Sequence, residues 1–139
     1  MMRNFILIFL VLTLFVINNQ TTNAQEKRLN SSPQSFRKFF SDFRRAIEKS
    51  DKTKVAAMTR FPFEYAFDAG DEGTMTKPEF LKNFKRIFGE SPKEFLTEKN
   101  PLFSRGDAGS YDISTDDAGH LIFVKKGNSF QFIGLFVEP

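Results

Sequence analysis

A chain of 139 residues is sized for one domain. Its 20 Lys and Arg stand against 17 Asp and Glu, a formal net charge of +3. The signs are interspersed, as where Arg44-Arg45 adjoin Glu48 and Asp51, whereas a nucleic-acid reader needs a one-signed stripe, so no nucleic-acid partner is expected. With no cysteine anywhere, disulfides, thiolate metal sites and attachment through a lipidated Cys are excluded.

The chain opens on a targeting pattern. Arg3 supplies a positive start, and Phe5 to Ile17 is apolar except for Thr13. Thr22-Asn23-Ala24 then places small residues where a signal peptidase cuts. An apolar run this short falls below the roughly 20 residues a spanning helix needs. Residues 1–24 are therefore read as a signal peptide, 25–31 as a flexible leader and 32–139 as one domain. The implied protein is bacterial, exported to the periplasm or outside the cell, with no stable membrane span after cleavage.

Ser32-Pro33 opens a helix, with Ser as cap and Pro at the first position. Phe36, Phe39, Phe40, Phe43, Ala46 and Ile47 form its buried stripe. Ser50-Asp51 breaks and re-caps the chain before a short helix through Val55, Ala56 and Met58. In Phe61-Pro62-Phe63-Glu64-Tyr65-Ala66-Phe67 the aromatics alternate strictly, which predicts a strand with all four rings on one face. Pro62 cannot donate to a ladder, so the strand is expected at an edge, or the proline at its start. Asp68 to Gly73 reads as a turn.

Thr76 to Gly89 carries the clearest helix signal. Phe80, Leu81, Phe84, Ile87 and Phe88 make one stripe, Thr76 and Glu79 have capping-box spacing, and Gly89 is the stop. Ser91-Pro92 begins a short helix with Phe95 and Leu96, ended by Asn100-Pro101. From Gly109 the period becomes two. Tyr111–Ser114, His120–Lys126 and Phe130–Val137 are the predicted strands, with turns at 116–119 and 127–128. In the last, Phe130, Phe132 and Phe136 are expected on one face and Ile133, Leu135 and Val137 on the other, with a bend or bulge at Gly134.

Helices first, then the F-P strand, a further helix and closing antiparallel strands: this order resembles the nuclear transport factor 2-like superfamily. The likeness rests on Phe36 to Asp51, Phe61-Pro62-Phe63, Lys77 to Phe88 and the closing I-F-V-K-K-G-N-S-F-Q-F-I-G. It implies an α+β, cystatin-like fold, in which a curved antiparallel sheet wraps around the N-terminal helices and leaves a conical pocket. It also implies that the other sheet face serves dimerisation, so a homodimer is an expectation.

Enzymes of that superfamily place an acid or base in an apolar cone, where desolvation tunes its pKa. None of their catalytic motifs matches this chain position by position. The candidates for such work are Tyr65, as a donor within the ring stripe, with Asp112 or His120; the simpler reading of each is a rim hydroxyl, a solvating carboxylate and an exposed strand-end imidazole. Arg60 beside the aromatic strand could receive an anion. With Phe63, Tyr65, Phe67 and Phe132 it makes the expected ligand-binding set. Asp68 to Glu79 has only part of a calcium-loop pattern, because its third position is Gly70. No phosphate loop, nucleophile elbow or zinc signature occurs, and neither metal nor cofactor is expected.

The leading expectation is a non-enzymatic binding module that uses the aromatic cone for a small apolar ligand, or a sheet face for a protein partner. The alternatives are an isomerase-, dehydratase- or hydrolase-type enzyme, and an envelope protein whose core is filled by its own side chains.

Overall fold

The computed structural model describes residues 27–89, 101–114 and 119–137. The expected signal peptide, the short helix expected after Ser91 and most of the turn expected at 116–119 lie outside the described residues. Among the described residues four helices pack on one side of a seven-stranded, curved sheet, so the chain is α+β.

Part of the stretch expected as a loose leader carries structure. Lys27–Arg28 forms a short strand, β1, and Leu29–Ser31 a 3-10 turn. Ser32 does not cap the next helix. Its hydroxyl donates to the Leu29 carbonyl at 2.6 Å, and the helix α1, Gln34–Glu48, starts after Pro33. α1 ends in a reciprocal pair of backbone bonds: the Ser50 N–H donates to the Ile47 carbonyl and the Asp51 N–H to the Ala46 carbonyl. That arrangement requires a left-handed residue after the helix, and Ser50 supplies it at φ 53°. Asp51 then caps α2, Lys52–Ala57, by accepting from the Lys54 N–H at 3.1 Å.

The aromatic strand is β2, Thr59–Asp68. It does not lie at an edge. It runs parallel to the last strand, β7 (Ser129–Val137), and antiparallel to β3, Asp71–Met75. Pro62, whose peptide bond with Phe61 is cis, falls within the break in the β2–β7 register between Thr59 and Glu64. The missing N–H therefore costs no ladder bond. β3 itself occupies part of what the sequence presents as a turn, because D-E-G-T-M shows no apolar alternation.

The helix expected over Thr76–Phe88 is two, α3 (Lys77–Lys82) and α4 (Phe84–Phe88). Asn83 separates them. Its side-chain amide donates to the Glu79 carbonyl at 2.8 Å, the same oxygen that accepts from its own backbone N–H. The apolar stripe survives the break, with Phe80, Phe84, Ile87 and Phe88 all buried.

β4 (Leu102–Arg105), β5 (Ser110–Ser114) and β6 (Gly119–Lys126) complete the sheet, in the order β1-β4-β5-β6-β7-β2-β3. Every neighbouring pair is antiparallel except β2 with β7, which makes the sheet mixed. Between Ile122 and Phe123 the β6–β7 register shifts, pairing Phe123 with Phe132 but Ile122 with Gly134. This is the bulge expected near Gly134, and it corrects the phase of the last strand. Phe130, Phe132 and Leu135 are buried on the helix side, while Phe136 pairs with His120 on the opposite face.

Candidate functional site

Strand pairing lays out the two sheet faces as rows. The inner face carries Phe103, Ile113, Leu121, Leu135, Tyr65 and Gly73 in register from β4 to β3. The helices lay their rings on this side. Phe36 stacks on Tyr111 at 4.8 Å between centroids, Phe43 meets Phe132 at 4.9 Å, and Phe80 meets Phe63 at 5.0 Å. Phe36, Phe43, Phe63, Phe80, Phe88, Phe123 and Phe132 are each 0% exposed. The concavity of the sheet is thus filled by phenylalanine, at edge-to-face and tilted separations typical of packed rings.

Polar chemistry is scarce in that interior. Among the described residues Ser32 and Thr59 are the buried polar ones, and each spends its hydroxyl on a backbone carbonyl, Leu29 and Val55 respectively. No buried side-chain nitrogen or oxygen among the described residues lacks a partner. An acid or base poised in the cone would appear here as a buried titratable group, and these positions are aromatic or aliphatic instead.

The structure separates the residues picked from the sequence. Phe63 and Phe132 lie in the core, with ring centroids 4.9 Å apart. Tyr65 stands in the inner row between Leu135 and Gly73, stacked on Phe67 at 5.0 Å. The Arg86 guanidinium covers both rings, 5.7 Å from Tyr65 and 5.1 Å from Phe67. Asp71 anchors it, accepting from Nη2 at 2.6 Å, and this bond raises the Arg86 pKa above its ordinary value, aided by a hydrogen bond with Tyr65. Arg60 is exposed on β2. Sequence reasoning missed Arg86 and Asp71: they are 15 positions apart and meet only because β3 folds back beneath α4.

Asp112 and His120 sit together, but on the outer face. Ile113 and Leu121, their neighbours in the chain, are buried on the inner side. His120 Nδ1 lies 2.9 Å from Asp112 Oδ2 and 3.2 Å from Ser114 Oγ. Both partners use the same ring nitrogen. A nucleophilic serine needs the imidazole's other nitrogen, with the carboxylate on Nδ1, so the trio orients and pairs its members without activating Ser114. Tyr65, on the inner face, cannot join it. Tyr65 and the pair Asp112–His120, the expected alternatives for an enzyme site in the cone, thus lie on opposite faces of the sheet.

The same outer face carries two parallel rows of side chains. One runs Leu102, Ser114, His120, Phe136, Ala66 and Glu72; the next runs Ser104, Asp112, Ile122, Gly134, Glu64 and Thr74. Val124 extends the apolar part, opposite Gln131. Leu102, Ile122, Val124 and Phe136 are only half-buried, and among the described residues the helix rings of Phe36, Phe43 and Phe80 meet the inner face. Phe136 lies low, because a Cβ on Gly134 would sit 2.8 Å from its ring. The partial calcium pattern is otherwise employed: Glu79 accepts from the Thr76 N–H at 2.7 Å and its hydroxyl at 2.8 Å.

No protein-family model and no curated protein matches the sequence. Several solved structures are similar in outline, among them the following two. Aln2 from a Streptomyces species is 10% identical, with a TM-score of 0.47 over 73% of this chain and 85% of its own. A putative calcium/calmodulin dependent protein kinase II association domain from Xanthomonas campestris is 13% identical, with a TM-score of 0.42 over 72% of this chain and 83% of its own. At this level of overlap neither assigns the chain to a family.

Proposed function

We propose that the protein is a binding module, not an enzyme, and that it works through the outer face of its sheet with a second copy of itself as partner. The observation that carries this reading is the contrast between the two faces. The inner one is filled by its own rings, whereas the outer one leaves Leu102, Ile122, Val124 and Phe136 half-buried, on the side away from the described helices. A small apolar ligand in the cone would first have to displace phenylalanines, and losing such packing costs several kcal/mol per ring, on the order of 3–5.

Self-pairing suits the chemistry of the outer face. Its central polar groups, Asp112 and His120, are already joined to one another at 2.9 Å. Such a surface needs no opposite charge from a partner and can meet its own image about a two-fold axis. Glu64 and Glu72 belong at the polar rim of the contact, where charge weighs little. The resemblance drawn from the sequence points to the same face. Light scattering at micromolar concentration tests the reading: the mass of a dimer is expected, and a monomer mass would reject it.

A further inference from the structure

A second surface lies on the helix side, away from the outer sheet face. α1, α2 and the turn between β6 and β7 enclose a groove of about 460 Å³, within the roughly 300–1,000 Å³ of small-molecule sites. Phe39, Met58 and Phe130 form an apolar floor, and Lys38 and Lys54 stand on its walls with Asn128 from the turn. The two faces of a ligand are therefore both provided for. Phe39 and Phe130 are held in place by the core, through contacts with Phe43 at 6.2 Å and Phe36 at 5.1 Å respectively. Met58 adds an adaptable, polarizable surface between them.

The charges decide what kind of head group fits. Asp42 is the carboxylate of the groove, and it faces Lys38 at 3.7 Å. No ion pair among the described residues engages the Lys54 ammonium. Two ammonium groups against one carboxylate leave a single net positive charge above an apolar floor. We propose that this groove is a binding site for an amphipathic monoanion: a carboxylate head held by Lys54, assisted by the Asn128 side-chain amide, with an aliphatic body lying on Phe39, Met58 and Phe130.

Lysine suits a single small head group, since it acts as a point charge with freely rotating donors. A cation would meet the two ammonium groups, and a neutral alcohol would leave Lys54 without a counter-charge. The site is independent of the sheet-face reading, because its residues come from α1, from α2 with the following Met58, and from the β6–β7 hairpin, whose Phe130 is buried on the inner side.

Titration of the full mature chain with decanoate below its micelle concentration, followed by NMR, is the direct test. Saturable shifts confined to Phe39, Met58, Phe130 and Asn128 are expected, with decanol at least tenfold weaker. Lys54→Glu should weaken decanoate at least tenfold and leave the spectrum of the free protein otherwise folded. Ile122→Lys on the sheet should bind like the wild type. Equal binding of decanol and decanoate, an unchanged affinity in Lys54→Glu, shifts centred elsewhere, or loss of binding in Ile122→Lys would each overturn the proposal. A head group presented on a membrane is separated by vesicles containing phosphatidylglycerol: free decanoate should compete with any bound vesicle, and binding to vesicles alone would overturn it.

Discussion

The rings of Phe43 and Phe132 meet with centroids 4.9 Å apart, joining the middle of α1 to β7 across the space a ligand in the cone would need. Phe43 also reaches Phe88 and Phe123, so one side chain ties two helices to two strands. Replacing it by Ala should therefore cost about 3–5 kcal/mol, a large share of the stability of a domain this size. Denaturant unfolding checks this. Phe43→Leu should lose distinctly less, and a Phe43→Ala protein as stable as the wild type would show that the interior is loosely packed.

The capping box predicts an acid-sensitive helix start. The Thr76 N–H, and then its hydroxyl, hold the Glu79 carboxyl below its ordinary value of 4.5. A carboxylate whose pKa is lowered on folding adds stability above its unfolded pKa. That contribution disappears as pH falls through the lower, folded value. Between neutral pH and the acid side of 4.5 the wild type should lose stability that Glu79→Gln never had, so the two unfolding curves converge in acid. Parallel curves across that range would remove the cap from the account.

Ser50 holds a conformation that suits glycine. At φ 53° its Cβ crowds the following carbonyl, yet the two bonds closing α1 need that geometry. Ser50→Gly should stabilise the domain by about 1 kcal/mol, raising Tm by about 4–8 °C. Calorimetry checks it, and a lowered Tm would contradict it.

Gly134 is where the outer face tolerates least. An added Cβ would lie 2.8 Å from the Phe136 ring and 3.2 Å from the Glu64 carbonyl oxygen, which belongs to the neighbouring backbone. Gly134→Ala should shift the Phe136 ring resonances in NMR and weaken self-association while the inner core stays intact. Unchanged Phe136 resonances would mean that the ring does not rest on the glycine.

Much of this architecture is legible in the residues, because caps and stripes are local. Thr76 with Glu79 marks a helix start without help from the rest of the chain, and the alternation from Phe61 to Phe67 marks a strand. What escapes is set by contacts between distant segments. β3 and β4 are short and poor in alternation, and only pairing with β2 and β5 makes them strands. The bulge opposite Ile122 and Phe123 reverses the phase of the last strand, which no count of twos along Phe130–Val137 reveals. His120 meets Asp112 because of cross-strand register, and Arg86 meets Asp71 because a hairpin brings β3 under α4. The polar clusters therefore became visible only with the fold: Asp112 with His120 lies on the outer face, and Arg86 with Asp71 lies over the rings of Tyr65 and Phe67.

Sedimentation equilibrium on wild type and Ile122→Lys addresses the outer sheet face most directly. The position is half-buried, so the substitution is expected to leave the packed interior alone, with circular dichroism as the check that the fold is kept. The wild type should fit a reversible dimer and Ile122→Lys a monomer, with dissociation at least tenfold easier. A wild type that stays monomeric, or a variant that dimerises equally well, would contradict the assignment of this face.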